Sequence, residues 1–310
     1  ALDPLQGWKY TDIPAYRYQR ILYPMLARVL SLGQAVILPW MMLLINLVSL
    51  IGSIWLLEKL LARYNFSRWY ALSYGLFIGT LMSIRLNLNE PLAYFLVVAG
   101  IYALESDRKK WTISAFALAI LCKEITLLFP LAFALEYLWK RKYRAATALT
   151  TSLVPFLLWK VVIFFWLHDW GLNSGGAMAT SFEWLPYAGW WKLAVINPTG
   201  FLQISLVILP LVILPSVLSI RLGVIQLFRR VWTADVFLVL GYAGIIPFLP
   251  MSNIVDPMGI SRMMMSLIIA LIYYGVKRSS VRTLRNCLLF TLTAIFIWKD
   301  SFLPVGTYRE

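Results

Sequence analysis

Three short stretches place groups able to hold a phosphate next to groups able to take a proton. They are Arg85-Leu-Asn87-Leu-Asn89-Glu90-Pro91, Cys122-Lys123-Glu124, and the run from Asn253 through Asp256 to Arg262. A fourth cationic stretch near the start carries Arg17, Arg20 and Arg28. A guanidinium offers a planar fork of N–H donors that matches phosphate oxygens in pairs, and a lysine adds a point charge. A neighbouring carboxylate can serve as general base toward a hydroxyl. Each stretch also has a plainer reading. Lys123 and Glu124 could form a hairpin tip that reaches lipid headgroups, and Arg85 and Glu90 could pair to close a turn. Recurrence of the pattern on one side of a membrane is what favours the chemical reading.

The elements that would carry these groups follow from composition. The chain has 310 residues, of which 61% are hydrophobic and 14% charged, with mean hydropathy +0.75. Soluble domains run about 45–50% apolar and about 25% charged. That excludes a disordered chain and an ordinary soluble enzyme, and it points to an all-α, polytopic transmembrane bundle. Approximate apolar cores fall at 35–57, 69–84, 91–104, 111–122, 125–139, 145–167, 201–220, 232–249, 262–276 and 284–298. They predict about ten spans in a domain covering 35–310. Residues 1–34 read instead as an outer-face segment. Ile21, Leu22, Met25, Leu26, Val29 and Leu30 recur at helical spacing there, which predicts an amphipathic helix lying in the membrane interface. Pro24 would kink that helix or start a second one.

The net charge of +14 would suggest nucleic acid in a soluble protein, but a membrane protein has another use for it. Alternate loops hold 17 of the 28 cations and only five of the 14 acids. The positive-inside rule puts those loops in the cytoplasm and both ends of the chain outside. Nucleic acid is therefore not an expected partner; membrane lipids are. The chemical stretches then share the outer face. A larger outer loop at about 168–200 is rich in tryptophan; for any one tryptophan an interfacial belt is the first reading, while the cluster as a whole also fits a sugar-stacking surface or lid. Lys160 is expected to snorkel outward, and His168 to sit at the interface. Cys122 and Cys287 suggest neither a disulfide nor a metal site.

The runs AYRYQRILYPMLARVLSLGQ, RLNLNEPLAYFLVVAGIYAL and LAILCKEITLLFPLAFAL, in that order, resemble GT-C-type polytopic membrane glycosyltransferases. The likeness covers most of residues 1–200. Relatives often carry Arg-Glu where this chain has Lys123-Glu124, which keeps the charge and loses the fork. The resemblance implies an inverting transferase that takes a sugar from a polyprenyl-phosphate donor, with hexosyl (mannosyl-like) transfer as the model. It implies donor-phosphate contacts from Arg17, Arg20, Arg85 and Lys123, with Arg262 added from the third stretch. The candidate acids are Glu90 and Glu124, with Asp12 as a further candidate that the resemblance itself does not assign, and the resemblance allows a divalent metal ion as cofactor. It also implies a further helix and an acidic, tyrosine-rich stretch ahead of Ala1. The alternative is a non-catalytic, transferase-derived subunit of a larger membrane complex. A transporter ranks behind both, because no internal repeat is evident.

Overall fold

A computed structural model describes residues 3, 5–172 and 182–298. Among the described residues the secondary structure is helical throughout, with no strand. Four helices are long and apolar enough to cross a membrane: Leu38–Arg63, Tyr143–Leu167, Pro198–Phe228 and Gly259–Lys277. That is the character of an integral membrane protein. Other apolar segments form shorter helices. Glu90–Glu105 has 16 residues, Lys109–Cys122 has 14 and Leu128–Trp139 has 12. At ~1.5 Å per residue the longest of these reaches about 24 Å, less than the ~30 Å hydrocarbon core. The segment expected at 69–84 is broken into Arg68–Ala71, Leu72–Gly75 and the helix Ile78–Arg85.

The chain groups into two compact units. The first comprises 1–68 and 83–177. In it, Glu90–Glu105 packs between Leu38–Arg63 and Lys109–Cys122. Gly100 permits the second contact, since a Cβ there would lie 2.7 Å from the Phe116 ring. The expected amphipathic helix forms two pieces, Pro14–Tyr18 and Leu22–Leu30. The break comes at Gln19–Ile21 and not at Pro24. Pro24 lies in the first turn of the second piece, where its missing N–H has no helical acceptor to lose. Tyr23 and Ala27 are buried against Ile45, Leu92, Ala93 and Cys122, while Val29 and Leu30 stay exposed. The Tyr23 hydroxyl accepts from Asn46 Nδ2 at 2.9 Å and donates to the Met42 carbonyl at 3.2 Å. These bonds fix the amphipathic piece onto the long helix beside it.

The second unit comprises 69–82 and 178–310. Pro198–Phe228 packs on Ala234–Ile245, which packs on Pro257–Lys277, which in turn meets Val281–Leu288. Of the four long helices, Gly259–Lys277 is the one mostly buried. Asp235, at the start of Ala234–Ile245, accepts from Arg278 Nε at 2.7 Å and so ties two helix ends together. Part of the expected large outer loop is ordered as the helix Ala188–Ile196, and its central residues, 173–181, lie outside the described residues.

Candidate functional site

The first unit gathers charged groups at the point where three elements end. Lys109–Cys122 stops at Lys123, whose backbone is extended (φ −155°, ψ 116°), and a 3-10 turn follows over Glu124–Leu127. In extended backbone, successive side chains point to opposite sides. Lys123 and Glu124 therefore find different partners.

Lys123 turns inward. Its Nζ donates to Glu90 Oε1 at 2.7 Å, and both side chains are almost fully buried. Glu90 opens the helix Glu90–Glu105 with Pro91 behind it, so the carboxylate also lies at the positive end of a helix dipole. The Asn89 side-chain amide donates to the Cys122 carbonyl, and the Cys122 thiol donates to the Asn89 carbonyl at 3.4 Å. This pair of bonds holds the two helix ends in register.

Glu124 turns the other way. Arg20 Nε donates to Glu124 Oε2 at 2.8 Å, and one Arg20 Nη donates to Oε1 at 2.5 Å. The same Nη donates to the Tyr16 hydroxyl at 2.5 Å, and the guanidinium lies 4.7 Å from the Tyr16 ring centre. Arg20 and Glu124 side chains keep 22% and 24% of their exposure, so the pair is sheltered but reachable. Burial alone would raise the Glu124 carboxyl; the Arg20 bonds outweigh it and hold the carboxyl below the usual range. Burial likewise works against the Arg20 charge, and Glu124 more than restores it, so the guanidinium is held more firmly charged than usual.

The residues flanking this pair are anchored separately. Lys160 does not snorkel outward: it is 8% exposed, and its Nζ donates to Gln19 Oε1 at 3.0 Å and to the carbonyls of Trp170 and Gly171. His168 ends the helix in the left-handed region (φ 55°), and that reversal brings Trp170 and Gly171 back to Lys160. Trp159 Nε1 donates to the Tyr18 carbonyl at 2.8 Å, and Trp166 meets the Tyr18 ring edge-on. The segment carrying Arg20 is thus fixed on both sides.

The other sequence candidates have the following places. Arg17 makes two 3.1 Å bonds to Asp12, with both side chains about half exposed. Those bonds hold the Asp12 carboxyl below its usual range. Arg85 is exposed at the end of Ile78–Arg85. Arg262 belongs to the second unit, on Pro257–Lys277. Sequence reasoning quoted Tyr16, Gln19 and Asn89 within its stretches and gave none of them a role. Tyr16 alone left a signal, four residues before Arg20 in an interfacial helix. Among the described residues no group of three or more His, Cys, Asp or Glu side chains could hold a metal ion, so the donor set does not fit the divalent metal that the resemblance allowed. No family model, curated protein or solved structure matches the chain.

Proposed function

We propose that this chain is a GT-C-type membrane glycosyltransferase, or a homologue of one, acting on a polyprenyl-phosphate sugar at the outer face of a bacterial cytoplasmic membrane. The observation that carries the reading is the Arg20–Glu124 pair beside Lys123–Glu90, immediately before an amphipathic helix. A lipid-borne phosphate arriving along that helix meets Arg20 first. Two of the three guanidinium nitrogens bond Glu124, and the remaining Nη is available to a phosphate oxygen. Arg17, Arg85 and Lys123 of the same unit complete the cationic set in this reading. In the transfer step the bond from the anomeric carbon to the donor phosphate breaks. A bond from the acceptor hydroxyl to that carbon forms with inversion. The hydroxyl proton passes to a carboxylate of the set Asp12, Glu90 and Glu124, and polyprenyl phosphate departs. The proposal includes about ten spans, the shorter helices crossing with their ends sheltered by protein, and both ends of the chain outward.

One observation favours a second reading. Asp12, Glu90 and Glu124 are each in an ion pair, which occupies the carboxylates and suits a structural role. A transferase-derived subunit of a larger membrane complex would need those pairs and no catalysis. Transfer of labelled hexose from polyprenyl-phosphate hexose in reconstituted vesicles separates the two. The transferase reading expects turnover that Arg20→Gln or Arg85→Gln abolishes while the protein stays folded. No turnover, with co-purification in a multisubunit assembly, supports the subunit reading instead.

A further inference from the structure

The second unit contains a groove of about 330 Å³ that the phosphate-sugar reading does not use. One wall is a stripe down Pro198–Phe228, with Pro210, Leu214, Leu218 and Leu222 facing it; Cys287 and Phe290 stand on the other wall. The stripe owes its opening to irregular backbone. Leu209–Ile213 is a single π turn, and Pro210 and Pro215 each remove a backbone donor, so the helix bulges there. Ligand sites commonly measure about 300–1,000 Å³, so the groove is large enough to hold a chain of methylenes.

Its polarity is graded along its length. From residue 210 to 222 the helix advances about 18 Å, close to the ~15 Å depth of one leaflet's hydrocarbon. The deep end is lined by proline, leucine and phenylalanine, while Ser219, Thr283 and Asn286 lie toward the other end. Arg221 directly precedes the lining residue Leu222, and Arg282 directly precedes Thr283. Both arginines are exposed, and among the described residues neither is in a salt bridge. Asp235, the acid near this end of the helices, is already held by Arg278.

We infer that this groove binds an anionic phospholipid, with one acyl chain lying along Leu214, Leu218 and Leu222 and the phosphate on Arg221 and Arg282. Length selects an acyl chain over a compact solute. Two exposed cations, each next in sequence to a lining residue, favour an anionic headgroup over a neutral one, and a forked donor suits phosphate oxygens. A second apolar helix would fill the groove equally well but would leave both cations unmatched. The site lies wholly in the second unit and does not depend on the transferase reading.

Native mass spectrometry of the purified protein tests it, after incubation in neutral detergent with equimolar phosphatidylglycerol and phosphatidylcholine of matched chains. The wild type is expected to keep phosphatidylglycerol at least threefold over phosphatidylcholine. The double variant Arg221→Gln/Arg282→Gln should bring that ratio to about one, since it removes exposed charges without touching the core. Leu218→Trp, at a position already 46% exposed, should fill the groove and lose the bound lipid of either kind. Equal retention of the two lipids by the wild type overturns the inference. So does an unchanged preference in the double variant, or wild-type retention in Leu218→Trp.

Discussion

Arg20 grips Glu124 with two nitrogens across 104 positions of sequence, joining the segment before Leu22–Leu30 to the turn between two helices. A bidentate, charge-assisted pair in partial shelter is stronger than the surface pairs that contribute little. Either Arg20→Gln or Glu124→Gln should lower stability by roughly 2 kcal/mol, the typical scale for a hydrogen-bonded charge. The double variant should cost less than the sum of the singles. Thermal unfolding of the four proteins in one detergent checks the coupling.

The same pair sets an acid limit. The Glu124 carboxyl is held below its ordinary value in the folded protein. Its contribution is therefore complete above the unfolded value of about 4.3 and disappears as the pH falls through the folded one. The unfolding midpoint of the wild type should exceed that of Glu124→Gln by a constant margin from pH 7 to pH 5. The margin should narrow only in more acid solution. A margin that closes near neutrality would place the carboxyl elsewhere.

Lys123 and Glu90 present the opposite case, a pair so buried that its own net worth is small but its rupture is costly. Lys123→Met should destabilise by about 3–5 kcal/mol because it takes the Lys123 charge away from a buried carboxylate. Lys123→Met with Glu90→Gln should recover a large part of that loss. Comparing urea midpoints of the single and double variants reads the difference.

Gly171 makes the fourth test. Its φ is +59°, and a Cβ there would sit 2.6 Å from the backbone of Ala15. Gly171→Ala should therefore push residues 168–172 off the helix Pro14–Tyr18 and loosen the carbonyls around Lys160. Limited proteolysis within that stretch should accelerate, while a change at exposed Leu172 should leave the rate as it was.

Much of this was legible from pattern. Helical class, membrane character and the amphipathic segment all follow from apolar spacing, because burial against lipid or protein imposes that spacing whatever the partners are. The stretches at Glu90 and at Lys123-Glu124 were visible as charges interrupting apolar runs. Their pairing was not visible. Lys123 and Glu124 are adjacent, and only the extended backbone at Lys123 sends one to Glu90 and the other to Arg20. Lys160 was misjudged for a related reason. Hydropathy treats a lysine in an apolar run as a group seeking water, whereas the reversal after His168 supplies two carbonyls within the protein. The break at Gln19–Ile21 was likewise hidden, since Pro24 is a stronger local signal than the tertiary bonds that open the chain four residues earlier.

The proposed transferase needs Arg20 to receive the lipid-borne phosphate. Equilibrium binding of a short-chain polyprenyl phosphate and of the matching uncharged polyprenol, to wild type, Arg20→Lys and Arg20→Gln, measures that most directly. The wild type should bind the phosphate form at least tenfold more tightly than the alcohol, Arg20→Lys should keep part of the difference, and Arg20→Gln should lose it. Equal affinity of the wild type for the two lipids, or an unchanged difference in Arg20→Gln, would contradict it.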